Sequence, residues 1–493
     1  MAKVLQDPSH SLKEFRILPG YTAADGNVSN ISLKSRFCRK GDNFIYLNIP
    51  LLSAAMQAVT GADMAISLAQ LGGIGILPVS QPVEEQCAKI SQVKRFKAGF
   101  QTSIVTLSPK QPIAEVAQII HDTGYTTFPV TESGQFHDKL IGILTDKDFD
   151  ERRDLACQVE ARMKTDVQFG TEVNDLSTAN ELMIRYGRGF LPILSKDGIL
   201  QTVVFKKDLD KHLRHPNESI DAKKRLLVGA AISTHPEDRD RVQALVEHEV
   251  DVLVIDASDG HTEYQRQMIE YIKSHSDTPV IGGNIVTAEG FRFLVEAGAD
   301  AIKVGMGIGS GCTTQEVKAT GRGQGTTLME VGSTRDQWAE EKGVYIPLIA
   351  DGGISGPAEM SVALALGANA LMMGNFFARY TESQGSLMRN AAGEIVKEYW
   401  MEGSMRAHNM RRYSQNKENF FEEGISGYVP HVGSVFDKLP TVIQMLRATL
   451  ATAGCRSVDE LHTKAVLEMQ SPSALMDSQI HDIVPMNVDQ QVL

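Results

Sequence analysis

A single cysteine sits in a run of glycines and hydroxyls, Gly305-Met306-Gly307-Ile308-Gly309-Ser310-Gly311-Cys312-Thr313-Thr314. The glycines let the backbone turn tightly and approach a ligand or ion, while Ser310, Thr313 and Thr314 surround the sulfur with hydroxyls. Such a loop presents a thiolate for nucleophilic attack. Most cysteines are small core hydrophobes, but a core-facing cysteine needs neither alternating glycines nor polar neighbours. Cys38, Cys87, Cys157 and Cys455 show no paired spacing of the zinc or redox type and read as packing residues.

The strand that delivers this loop is one of eight apolar runs: Ile49 to Met56, Gly73 to Pro78, Arg225 to Ile232, Asp251 to Asp256, Pro279 to Ile285, Ala301 to Gly305, Ile346 to Asp351 and Ala370 to Gly374. They are apolar throughout, as parallel strands covered on both faces must be. Helical patterns lie between most of them, at Asp63 to Ala69, Val242 to Val246, Tyr264 to Ile272, Phe291 to Ala297 and Glu359 to Leu366. The implied fold class is α/β, a (β/α)8 barrel. A net charge of -12 disfavours general nucleic-acid binding, which needs a basic face. No apolar run reaches the roughly 18 residues of a membrane span, Met1 to Ser11 has no apolar signal core, and the odd cysteine count suits a reducing compartment. A cytoplasmic enzyme is expected.

The strand spacing breaks after the second run, where Ile113 to Asp150 and Leu176 to Asp210 repeat one another. Each copy reads as a helix, then Phe128-Pro129-Val130 or Leu191-Pro192-Ile193, then a turn at Gly134 or Gly198 and a second strand. A duplicated unit of this size buries its apolar face against its copy. The pair resembles two CBS motifs, a tandem module that binds adenine or guanine nucleotides. The resemblance implies ribose contacts from a Thr-x-x-Asp run, which Thr145 and Asp148 match, whereas Phe205 replaces the threonine in the second copy. The expected division is barrel at 1–100, tandem CBS module at 101–218, and barrel again at 219–493. The last part contains a catalytic loop at 305–325 and a lid at about 380–430, a segment too long for an ordinary connection. Gly321 to Gly325 reads as a turn beside the catalytic loop.

In a barrel the strand ends converge on one rim, where active sites are built. That gathers Ser53 and Met56, Asp256 with Ser258 and Asp259, Asn284, Lys303 to Cys312, Asp351-Gly352-Gly353 and Gly374-Asn375. Gly353 and Gly374 follow the seventh and eighth strands, a common phosphate position, and Asp351 suits a pair of ribose hydroxyls. A nucleotide anchored there places its base against Cys312. Thiolate attack on an electron-poor ring carbon leaves a hydride for a nicotinamide to accept, with Asp256, Ser258, Asn284, Lys303 and Gly305 around cofactor and substrate. No Gly-x-Gly-x-x-Gly fingerprint opens a βαβ unit, so that nicotinamide lies outside any Rossmann fold.

With Gly-x-Gly-Ser-x-Cys-x-Thr around Cys312, Ile349 to Ile354, Met373-Gly374, the CBS insertion and Arg412-Tyr413, the chain resembles the IMP dehydrogenase / GMP reductase family along essentially its whole length. The resemblance implies NAD-dependent oxidation of IMP to XMP through a Cys312 thioimidate. It assigns hydrolysis of that intermediate to Arg412 and Tyr413 on a mobile flap, with Thr314 positioning water. Arginine is normally charged, so base action by Arg412 calls for a low-dielectric pocket and a relay through Thr314. Phosphate contacts fall on Ser310, Gly353, Gly374 and Tyr399, and the hypoxanthine edge on Gly403 and Glu423. Potassium falls on the backbone carbonyls of Gly307, Gly309 and Cys312, with Asp477, Ser478 and Gln479 of an adjacent subunit in an implied homotetramer. Gly311 stands where a larger apolar residue is usual, and implies a more flexible loop. GMP reductase chemistry, or a nucleotide sensor with an inactive barrel, are the alternatives.

Overall fold

The computed structural model describes residues 2–23, 26–96, 100–101, 104–173, 176–206, 215–409, 422–480 and 482. The chain divides into two compact units, one of Met1–Arg95, Asn217–Ser219 and Leu226–Leu493, the other of Phe96–Pro216 and Ile220–Arg225.

In the first unit eight parallel strands close into a barrel in chain order: β1 (Leu51–Ser53), β2 (Ile74–Leu77), β3 (Val228–Ile232), β4 (Val252–Ile255), β5 (Val280–Ile285), β6 (Ala301–Val304), β7 (Leu348–Asp351) and β8 (Ala370–Met373). Closure is direct, with Leu371 of β8 paired to Leu51 of β1. The fold is thus the (β/α)8 barrel expected. Helices follow the strands: α1 (Ala62–Gln70), α2 (Val83–Arg95), α3 (Asp238–Glu247), α4 (Glu263–His275), α5 (Ala288–Glu296), α6 (Gln324–Lys342), α7 (Pro357–Ala365) and α8 (Val435–Thr452). Three of these, α2, α6 and α8, were not among the helical patterns read from the sequence. The Gly321 to Gly325 turn ends as the start of α6, with Gly323 in the capping position.

Strand side chains alternate between the interior and the helices. Leu52, Ile74, Ile76, Ala231, Val252, Val254, Ile281, Ala301, Ile349, Ala370 and Met372 form one buried interior cluster. Its lower end is plugged by a hairpin of Ser35–Lys40 with Asn43–Leu47, which contributes Phe37, Cys38 and Leu47. Two residues beyond Val254, Ala301 and Ile349, the same inward phase reaches Asp256, Lys303 and Asp351. The apolar filling therefore ends in a layer of charge.

The excursion after β8 is more ordered than a loop. Leu387–Arg389, Ile395–Trp400 and Ser426–Pro430 form a three-stranded antiparallel sheet. Its base is closed by Val432 N–H to Arg379 O (3.0 Å) and Thr381 N–H to Gly433 O (2.9 Å).

The second unit carries the repeat. Helix Ile113–Thr123 precedes the antiparallel pair Thr127–Thr131 and Leu140–Thr145, and helix Leu176–Tyr186 precedes Phe190–Leu194 and Leu200–Phe205. The copies meet through Leu140 N–H to Gly198 O (3.2 Å) and Leu200 N–H to Asp138 O (3.0 Å). In the first copy both the amide and hydroxyl of Thr145 donate to Asp148 (2.8 and 2.7 Å). In the second, Phe205 stacks edge-on against Phe190 at 5.0 Å, and Asp208 lies outside the described residues.

Candidate active site

The cavity at the C-terminal rim encloses about 910 Å³, counting its open mouth, and is walled by Met56, Asp256 to Ser258, Asn284, Lys303, Gly305 to Gly309, Cys312, Thr314, Asp351, Met401 to Gly403 and Glu423. At its base the Lys303 ammonium, 3% exposed, lies 2.8 Å from Asp351 Oδ2 and 3.7 Å from Asp256 Oδ1. A buried amine in this position requires such carboxylates to offset its lost hydration. Asn284 Nδ2 donates to Asp351 Oδ2 (3.0 Å) and to Gly305 O (2.7 Å). Its Oδ1 is buried with no protein donor.

Gly305 is held at φ +130°, and a Cβ there would fall 2.1 Å from Asp351 O, so only glycine lets β6 hand the chain to the catalytic loop so close to β7. Cys312 is half-buried on the wall. Its Sγ lies 3.1 Å from Thr314 Oγ1, which donates to Glu423 Oε2 at 3.1 Å. Lys318 pairs with the other oxygen of Glu423 at 2.8 Å. Sulfur, hydroxyl and carboxylate thus form one chain. Residues 423–425 run beside the loop, with Thr313 N–H to Glu423 O (3.2 Å) and Ile425 N–H to Gly311 O (3.1 Å).

Ser310, Tyr399 and Gly374 come together opposite. The Tyr399 phenol bonds to Ser310, and burial holds its pKa well above the usual range. A Cβ on Gly374 would meet Tyr399 Oη at 2.9 Å and Met56 Sδ at 2.7 Å, so its absence admits both. Gly353, at φ +73°, faces Ile308 of the catalytic loop. Asn375 opens the short helix Asn375–Ala378 beside Gly374.

Other expected residues are placed differently. Ser53 is fully buried and bonded to Thr60 Oγ1 (2.9 Å), because Leu52 and Ala54 take the inward phase and Ser53 the outward one. Arg412 and Tyr413 lie outside the described residues. Gly307 O accepts from Gln315 Nε2 (2.9 Å) and Gly309 O from the Cys312 amide (3.1 Å), so each has one lone pair left for an ion. Asp477, Ser478 and Gln479 are exposed where helix Pro472–Asp477 ends, and Ser478 accepts from Arg16 (2.8 Å). Sequence reasoning missed Glu402, a buried carboxylate that accepts from Gln57 N–H (2.6 Å) and Ser80 Oγ (2.5 Å) and ties the flap to the loops after β1 and β2. Its flanking Gly403 was the only local signal.

The IMP dehydrogenase / GMP reductase domain family matches residues 9–481. The chain belongs to this family. It is therefore an oxidoreductase. It is 39% identical over 494 residues to an inosine-5'-monophosphate dehydrogenase of Tritrichomonas foetus, with 98% of each chain covered. It is 36% identical to that of Schizosaccharomyces pombe, with 95% of this chain and 91% of that one covered. Among solved structures, a GMP reductase variant of Trypanosoma brucei in complex with guanosine 5'-monophosphate superposes with a TM-score of 0.82 at 27% identity, covering 97% of this chain and 98% of that one. A reductase that aligns at full length with this chain means that the inserted unit does not by itself separate the two activities.

Proposed function

We propose that this family member oxidises IMP to XMP with NAD, for guanine nucleotide biosynthesis. The observation that carries the reading is the Cys312–Thr314–Glu423 chain opening onto the cavity. The 36–39% identity to proteins named as dehydrogenases supports this direction over reduction of GMP. Ser310, Tyr399, Gly374 and Gly353 anchor the 5'-phosphate, Asp351 holds the ribose, and Gly403 and Glu423 meet the hypoxanthine edge. The thiol proton passes through the Thr314 hydroxyl to Glu423, and the sulfur bonds to C2 of the ring. Asp256, Ser258, Asn284 and Lys303 would hold a nicotinamide beside the ring, and that group, when bound, would supply the acceptor for the hydride lost from C2. Water positioned by Thr314, with Arg412 and Tyr413, then displaces the sulfur and releases XMP. Potassium is assigned to the remaining lone pairs of Gly307, Gly309 and Cys312. With two of the three carbonyls already hydrogen-bonded, its expected stimulation is small.

Residues 101–218 are assigned as a tandem CBS module for an adenine or guanine nucleotide, on the repeated helix and hairpin. A cytoplasmic homotetramer completes the reading, and no helix among the described residues is long and apolar enough to cross a membrane. Nicotinamide absorbance with IMP plus NAD, against GMP plus NADPH, tests the whole: signal with the first pair is expected, with the second it reverses the assignment, and with neither it leaves a sensor. Arg412→Ala should slow thioimidate hydrolysis by more than about tenfold while the first-turnover burst of NADH persists. Loss of burst and steady rate together would reject that role.

A further inference from the structure

Gly311 is buried, and its backbone is not in the left-handed region, so its conformation does not demand glycine. What crowds a side chain there is Met401. A Cβ built on Gly311 would meet Met401 Cε and Cγ at 3.1 Å and Sδ at 3.3 Å, with no other residue among its three nearest atoms. Gly424, also in an ordinary conformation, would place a Cβ 2.2 Å from Met401 Cβ and 2.6 Å from its Cγ. The three segments are bonded side by side: Met401 N–H to Ile425 O (3.1 Å), Ile425 N–H to Gly311 O (3.1 Å), and a bridge between Cys312 and Gly424. Met401 is buried between two glycines, one of them adjacent to the reactive sulfur. The expected loop flexibility at Gly311 is thereby replaced by a contact.

We propose that Met401 is a positioning residue for Cys312, its side chain filling the volume that a side chain at 311 would occupy, so that 311 and 401 act as a matched small and large pair. This rests on Cys312 being the nucleophile. The flexible, polarisable thioether suits a gap lined by backbone on two sides. A wrong total volume in this pair displaces the loop and with it the distance from sulfur to Thr314, and small displacements at a reacting centre cost large factors in rate.

The test is a double-mutant cycle in the full-length protein. Two readouts are followed, kcat with IMP and NAD, and the pH profile of Cys312 alkylation by iodoacetamide, located by mass spectrometry. Gly311→Ala should lower kcat about five- to tenfold beside Met401, yet cost less than about twofold in a Met401→Ala background. The alkylation profile should move to higher pH in each single variant and return in the double. Equal cost of Gly311→Ala in both backgrounds, or an alkylation profile indifferent to position 401, overturns the proposal. If Met401→Ala does not fold, Met401→Val supplies the same comparison. Turnover retained by Cys312→Ala would instead sink the nucleophile assignment, and coupling in the alkylation readout separates the two failures.

Discussion

At the N-terminal end of the barrel, Asp251 and Asp300 stand one residue before β4 and β6. Asp251 Oδ2 accepts from the Val228 amide (2.8 Å) and from Lys94 (2.5 Å). Asp300 Oδ2 accepts from the Val280 amide (3.0 Å) and from Lys273 (2.9 Å). Each carboxylate staples a neighbouring strand start to the end of a helix. At the C-terminal end the same residue types meet as Asp256, Lys303 and Asp351, but there the lysine is shared between two acids and the neighbouring Asn284 keeps an Oδ1 with no protein donor. The two thiols at these ends differ likewise. Cys38 is fully enclosed, and burial, reinforced by the Asp300 charge, drives its pKa well up, whereas Cys312 reaches the cavity. Groups whose bonding capacity is used up by backbone and counter-charge hold the fold. Groups not used up in this way line the cavity.

The sharpest way to break this contrast is to exchange roles between the ends. Cys312→Ala should lower turnover by more than about 10⁴-fold with IMP binding retained by calorimetry. Cys38→Ala should leave kcat within about twofold and act only on the melting temperature. Next in size, Asp251→Ala removes the carboxylate that accepts from the nearly buried Lys94 and should cost about 3–5 kcal/mol in denaturant unfolding. The kcat/KM of its folded fraction should stay within about twofold. Lys303→Met should lower kcat/KM by about ten- to a hundredfold, with a smaller loss of stability than Asp251→Ala because the two carboxylates it leaves line the open cavity. A Lys303→Met protein that unfolds while the Asp251→Ala protein does not would erase the distinction.

The smallest effect concerns pH. His462, whose Nε2 meets Ala368 O at 3.0 Å just before β8, has its pKa pushed down to about 4 by burial, with Arg335 adding to the shift. The unfolded chain then binds a proton that the folded chain does not, between about pH 6.5 and 4. The stability held above pH 6.5 is therefore lost as pH falls through that window, by on the order of 3 kcal/mol. Replacing it, as His462→Gln, should flatten that part of a melting-temperature profile and leave activity at neutral pH unchanged. An unaltered slope would place the acid sensitivity elsewhere.

Much of the lower end was legible because parallel strands buried on both faces leave unbroken apolar runs. The helices that escaped detection have physical reasons. The buried face of α6 includes Gln324, Thr327, Thr334 and Arg335, so its polarity hides the helical period, and α8 carries Pro440 inside it. Flap strands were obscured because the exposed Leu387, Ile395 and Tyr428 adjoin the apolar Met388, Val396 and Val429, which breaks the apolar–polar alternation that marks a half-buried strand. At the rim, Cys312, Thr314 and Asp351 announce themselves through local glycine patterns. Glu402 and Met401 do not, since their meaning arises only when segments some ninety residues from the catalytic loop are bonded beside it. Ser53 differs for the opposite reason, since it stands at the expected strand end but its side chain takes the outward phase toward Thr60.

One bond below the rim has a wider bearing. Lys94, near the close of α2, donates to Leu226 O at 3.1 Å, just ahead of β3, so within the barrel unit the end of α2 and the start of β3 are held side by side. Closing a short connection across neighbouring ends carries little entropic penalty. The barrel is thus hospitable to cargo at this point: whole modules can be gained, traded or shed over evolutionary time without rewriting the strand order on which its chemistry stands.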